Sequence, residues 1–138
     1  KAWIHSAGVT KDQKTLWDNL PEQDKFLEAM AESASSVVDY FKGNIVYINI
    51  MCNMSVDCDC CAVAEDPCMN DIGILASTDP IAIDQACIDL VKNSNDSGKE
   101  HLLERINSRH GTHTIDVAAE LGLGNKEYEL INIDSGDK

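Results

Sequence analysis

Cysteine is the residue type best suited to chemistry in this chain, and it is unevenly placed. The six cysteines are Cys52, Cys58, Cys60, Cys61, Cys68 and Cys87, and five of them crowd into one short interval. The densest run is Asp57-Cys58-Asp59-Cys60-Cys61. Thiolates hold zinc and iron–sulfur clusters because sulfur is a soft, strongly donating ligand and several can converge on one centre. In an extended backbone Cys58 and Cys60 point to the same side, and a turn is needed to bring Cys61 round. Cys52 and Cys68 lie near enough in sequence to complete a four-thiolate set. The spacing matches neither a Cys-x-x-Cys knuckle nor a ferredoxin run, so zinc and an iron–sulfur cluster both stay open. The interleaved Asp57 and Asp59 separate these thiols from the usual small buried cysteine. Cys87 is that buried kind, because it shares a helical apolar face with Ile83 and Leu90.

Other residues offer less. His110 and His113 flank Gly111-Thr112, a spacing that suits zinc in a loop and equally suits a surface turn. Asp79 and Asp84 form a carboxylate pair, but Asp79 stands where a helix cap is needed and Asp84 in the second turn beyond it. A thiol-redox enzyme would use Cys60 or Cys61 as nucleophile, which requires a depressed thiol pKa. Glycine-rich phosphate loops and a nucleophile elbow are absent. Whether the chain is an enzyme stays undecided, and no substrate is named.

The elements that position these residues read as α/β. Pro21 and Glu22 open an amphipathic helix whose apolar residues Phe26, Leu27, Met30, Ala31, Ala34, Val37, Val38 and Phe41 recur at three and four, until Gly43 stops it. Ile45 to Met51 is β-branched and apolar on both faces apart from Asn49, as expected of a strand buried inside a sheet. Residues 52–70 form a loop, and Ile72 to Ala76 a second short strand. Asp79 and Pro80 start the next helix. Ser97 and Glu100 are spaced as a capping box for a third, carrying Leu102, Leu103 and Ile106. A fourth runs from Thr114 to Leu121, and Tyr128 to Ile133 reads as a third strand. The expectation is a small layered sheet of three or more strands with helices packed on it. Residues 1–20 form an arm without a clear element, residues 21–134 the domain, and residues 135–138 a frayed tail.

Composition narrows the partners. With 24 acidic against 11 basic side chains the net charge is −13, which repels nucleic-acid phosphates and anionic lipid. No apolar run approaches the length needed to cross a bilayer, and no export signal opens the chain. Clustered rather than dispersed cysteines suit a reduced, cytoplasmic setting. The start at Lys1 suits a piece of a longer protein, against whose N-terminal part this domain would dock. The oligomeric state is not legible.

The stretch Val56-Asp57-Cys58-Asp59-Cys60-Cys61, with Asn70 to Ala86 and its Asp79-Pro80-Ile81-Ala82-Ile83-Asp84 element, resembles the C-terminal part of a family of uncharacterised iron–sulfur centre proteins that share a domain of unknown function. Leu121-Gly122-Leu123-Gly124 and Tyr128-Glu129-Leu130 resemble that family's closing segment. The similarity covers roughly residues 25 to 134. In the family the iron–sulfur label rests on an upstream ferredoxin-like insert of Cys-x-x-Cys-x-x-Cys repeats, which this sequence lacks, so none of that insert's ligands transfers. The resemblance implies metal handling or electron transfer, with the loop binding a metal or shielding a cluster held elsewhere. The alternative is a structural or interaction domain whose thiols are buried and inert.

Overall fold

The computed structural model describes residues 1–57 and 62–134. The arm is more ordered than its sequence suggests. It carries a short helix α1 (Ala2–His5) and a 3-10 turn at Leu16–Asp18. Ala2 and Leu16 are buried, and His5 packs on Phe26 with ring centroids 5.4 Å apart. Helix α2 spans Gln23–Phe41, and Lys42 ends it in the left-handed conformation at φ +48°. Strand β1 (Tyr47–Met51) and strand β2 (Gly73–Ser77) pair antiparallel, with Ile48 opposite Ala76 and Ile50 opposite Ile74. Helices α3 (Pro80–Asn93), α4 (Lys99–Ser108) and α5 (His113–Glu120) follow.

The α/β class holds, but among the described residues the sheet has two strands rather than three or more. Tyr128 to Ile133 forms neither strand nor helix. Tyr128 is tied by its hydroxyl, which donates to Asp89 Oδ2 at 3.1 Å, and Leu130, Ile131 and Ile133 stay exposed. Strand β1 is not buried on both faces either. Its alternation puts Tyr47, Asn49 and Met51 inward, while Ile48 and Ile50 face outward and are about two-thirds exposed. Asn49, the polar exception in the strand, is thereby placed against α3, where Nδ2 donates to Asp84 Oδ1 at 2.8 Å and lies 3.4 Å from Cys87 Sγ.

Helix α3 joins two cores. Its Val91, with Cys87 and Leu90, packs into a cluster of Met51, Val56, Met69 and Leu102. Its Ile81 packs with Ala31, Ile115 and Ala118 between α2 and α5. The second core closes only on the N-terminal half of α2. Val37 and Phe41, which the helical period puts on the buried face, remain exposed, and a cavity of about 330 Å³ lies beside Val37, Val38, Tyr47, Ile81 and Ala118. The Tyr47 hydroxyl is buried there without a hydrogen-bond partner among the described residues, and burial, followed by the charge of Asp79, pushes its pKa up.

Ser97 and Glu100 do not form their capping box. Gly98 is the N-cap of α4 and has no side-chain bond of its own. Asp96 serves the turn instead, its Oδ1 accepting from Gly98 N at 2.8 Å. The Glu100 amide, which a capping Ser97 side chain would bond, donates instead to the Ser97 carbonyl at 3.3 Å.

Candidate functional site

The cysteine loop is rooted in the first core. Met54, Val56, Cys68 and Met69 all belong to that cluster, and Met54 pairs with Met69 in an isolated antiparallel bridge. Cys68 donates twice to one acceptor, from its amide at 2.8 Å and from Sγ at 3.1 Å, both to the Met54 carbonyl. Cys52, just past β1, is exposed. The turn after it is held by Asn53 N, which donates to Asp71 Oδ1 at 2.9 Å.

Closer to the thiol run, the two chain segments are joined again. Ser55 Oγ donates to the Glu65 carbonyl at 2.9 Å, and Glu65 N donates to Asp57 Oδ2 at 3.0 Å. The other oxygen of Asp57 accepts from Arg105 Nη1 at 3.2 Å, and Asp57 keeps only 18% of its side chain exposed. One turn earlier on α4, His101 Nε2 lies 3.7 Å from Glu65 Oε2. Residues four apart share a helix face, so α4 presents both basic groups to this neck. Further down, Asp96 Oδ2 accepts from Asn70 N at 2.9 Å and Asn70 Nδ2 at 2.6 Å. The Asn70 amide, then that of Gly98, holds the Asp96 carboxyl below the usual carboxylate range.

Cys58, Cys60 and Cys61 lie outside the described residues, so the structure gives the ends of their segment and not their arrangement. Of the two further candidates, Cys68 is half-buried with its thiol engaged at Met54, and Cys52 is open. Cys87 packs against the first core, and burial pushes its thiol pKa up. Among the described residues, no three His, Cys, Asp or Glu side chains converge to hold a metal ion.

The remaining candidates have structural partners. Asp79 caps α3, with Oδ1 accepting from Ile81 N at 2.8 Å and Ala82 N at 2.9 Å, while Oδ2 accepts from Asn125 N at 2.9 Å. Asp84 is engaged by Asn49. His110 and His113 each face a carboxylate of α2 rather than each other. His110 Nδ1 lies 2.6 Å from Asp24 Oδ1, and His113 Nε2 lies 3.6 Å from Glu28 Oε1. The bond with His110 lowers the Asp24 pKa.

Little in the chain's local patterns marks Arg105, His101 and Asp96 as supports of the loop. Their only signal is a basic pair four apart on the polar face of α4 and an Asp two before a Gly. If the neck depends on Asp57, Asp57→Ala will speed hydrogen exchange at the Glu65 amide about five- to tenfold, the scale of one net hydrogen bond of about 1 kcal/mol. Unchanged exchange would show that the neck does not hold the loop closed.

No helix among the described residues is long and apolar enough to cross a membrane. No curated protein and no solved structure matches the chain. A family model does match, over residues 1–89, and it takes in the N-terminal arm, α2, both strands, the cysteine loop and the start of α3. The resemblance at 121–130 lies beyond that span, and the family's description names neither a metal nor a reaction. With well over half its length covered, the chain belongs to the family described as Domain of unknown function (DUF362).

Proposed function

We propose that the loop 52–70 is a thiolate metal element, in which Cys58, Cys60 and Cys61 bind a metal ion or shield an iron–sulfur cluster. The observation that carries this reading is the closed neck. Ser55, Asp57, Glu65 and Arg105 join the two ends of the thiol segment through hydrogen bonds. Closing a loop in the protein removes entropy that a metal would otherwise have to offset on binding. Zinc and iron–sulfur both suit a soft donor set of this kind. Cys52 and Cys68 are the candidate fourth ligands; Cys52 is exposed, and Cys68 would first have to give up its bond to Met54. The role that follows is metal handling or electron transfer in a reduced cytoplasm, away from nucleic acid and membrane.

Anaerobically purified protein is expected to hold zinc or iron at about one site per chain by elemental analysis, and Cys58→Ser with Cys60→Ser to lose most of it. Metal far below one site per chain, with no cluster absorbance, would sink the proposal.

A second reading has its own support. Cys68 shows how a thiol of this loop can act purely as a packed hydrogen-bond donor. On that reading the domain is structural, the thiols are inert, and the loop docks against another part of the protein. Serine substitutions would then change stability or assembly and leave metal content alone.

A further inference from the structure

The second core is left unfilled at one end, and the groups around the gap are selective. Ala31 and Ala118 pack together where α2 meets α5, and about one turn further along α2 the next lining residue is only Ala34. The cavity of about 330 Å³ is walled by Val37 and Val38 of α2, Tyr47 of β1, Ile81 of α3 and Ala118 of α5, so four elements border it. That volume lies at the lower end of the roughly 300–1,000 Å³ of small-molecule sites.

The walls are mainly apolar, and the polar atom buried among them is the Tyr47 hydroxyl, without a partner among the described residues. Buried polar groups in native proteins are paired, because leaving one unpaired forfeits its hydration for nothing. Burial and then the charge of Asp79 raise the Tyr47 pKa, so the hydroxyl keeps its proton and can donate. A buried water needs two to four polar partners, which makes water a poor occupant of mainly apolar walls. An inserted Leu or Phe from another polypeptide would fill the space and still leave the hydroxyl unpaired. Charge narrows the choice again. Lys, Arg and His are absent from the lining, and its one charged residue is Asp84, which is exposed and accepts from Asn49 through Oδ1. An anion would meet only negative charge there, on a chain whose net charge is −13. A cation drawn to Asp84 would stay in water at the rim.

We propose that this cavity binds a small neutral molecule with an apolar body and one hydrogen-bond acceptor, such as a carbonyl oxygen, which the Tyr47 hydroxyl recognises. The site belongs to the second core, whereas the cysteine loop is rooted in the first, so it needs no metal in that loop.

Four probes with equal numbers of non-hydrogen atoms test the assignment: acetophenone, cumene, benzoate and the ammonium form of 1-phenylethylamine. Each is titrated into the reduced full chain while the methyl resonances of Val37, Val38, Ile81 and Ala118 are followed by nuclear magnetic resonance. Acetophenone is expected to shift them saturably and to bind about fivefold tighter than cumene, the worth of one net hydrogen bond. Benzoate and the ammonium probe should leave them unmoved. Tyr47→Phe removes only an unpaired oxygen, so the fold should persist, cumene binding should be unchanged, and acetophenone should fall to within about twofold of cumene. Ala34→Leu, at an exposed position of α2, should fill the space and abolish both. Acetophenone without saturable shifts at these methyls would overturn the proposal and leave the cavity to water or to another polypeptide. Acetophenone and cumene bound equally by the parent chain, a preference that survives Tyr47→Phe, binding indifferent to Ala34→Leu, or a charged probe bound as well as acetophenone would each overturn it too.

Discussion

Gly98→Ala is expected to lower stability by about 3 kcal/mol or more, a large share of the roughly 5–15 kcal/mol available to a domain. A methyl group at this position would sit 1.7 Å from the Cys68 carbonyl oxygen and 2.7 Å from its carbon. Both are backbone atoms, so no side chain can swing aside. The φ of Gly98 is −62°, an angle any residue adopts, which means that space alone demands glycine. To make room, either α4 must lift away or the end of the cysteine loop must move. The second movement would break the bonds from Cys68 to Met54 and the Met54–Met69 bridge. Gly43→Ala supplies the contrast, since Gly43 has φ +81° but open space around it, and should cost about 1 kcal/mol. Urea midpoints of the two variants separate the cases. Equal, small losses would mean that α4 does not approach Cys68 this closely.

Asp79→Ala should cost about 2–3 kcal/mol, because one carboxylate serves three backbone amides in two parts of the chain. Two belong to the first turn of α3 and the third to Asn125, forty-six residues on. The fit is tight enough that a Cβ on Gly124 would fall 2.0 Å from Asp79 Oδ1. Burial by itself would raise the Asp79 pKa, but the amides of Ala82, Asn125 and Ile81 outweigh it and hold the carboxyl low. The sign follows from that direction. The folded state binds the proton more weakly than the unfolded state, so the contribution is fully present above the unfolded value of about 3.9. It is lost as the pH falls below that value through the folded one. Urea midpoints from pH 6 to pH 2.5 should therefore drop less steeply in Asp79→Asn than in the parent. Parallel acid limbs would show that Asp79 carries no such coupling.

Much of the frame was legible because local chemistry and tertiary packing agree there. Asp79 and Pro80 mark the start of α3 within a residue, and the three-four spacing of Leu27 and Ala31 locates the buried face of α2. The misses arise where a local pattern has a competitor or lacks a partner. Ser97 and Glu100 have the spacing of a capping box, yet the Glu100 amide bonds the Ser97 carbonyl and Asp96 holds the turn through Gly98. Tyr128 to Ile133 has strand-like composition, but a strand needs a neighbour to bond, and Tyr128 is drawn to Asp89 instead. Composition also made β1 look buried on both faces. Periodicity cannot tell a covered apolar face from one left open, and here the outer face is open. Of the candidate site, the sequence marked the thiols but not what holds them. Arg105 and Asp57 are forty-eight positions apart, a separation that no local pattern reports.

That separation also orders events in time. During synthesis at about 5–20 residues per second, Arg105 is added several seconds after Asp57. Asp96, which secures the far end through Asn70, is likewise added after the whole loop. The thiol segment and the Ser55, Asp57 and Glu65 bonds of its neck are thus made first, and the clasps from Asp96 and Arg105 are added later. A nascent chain that stops before residue 96 has every cysteine of the protein and neither of these two clasps. The clasps that tie the loop to the rest of the domain are a late step of biogenesis, set by chain order, and follow the bonds the loop makes within itself.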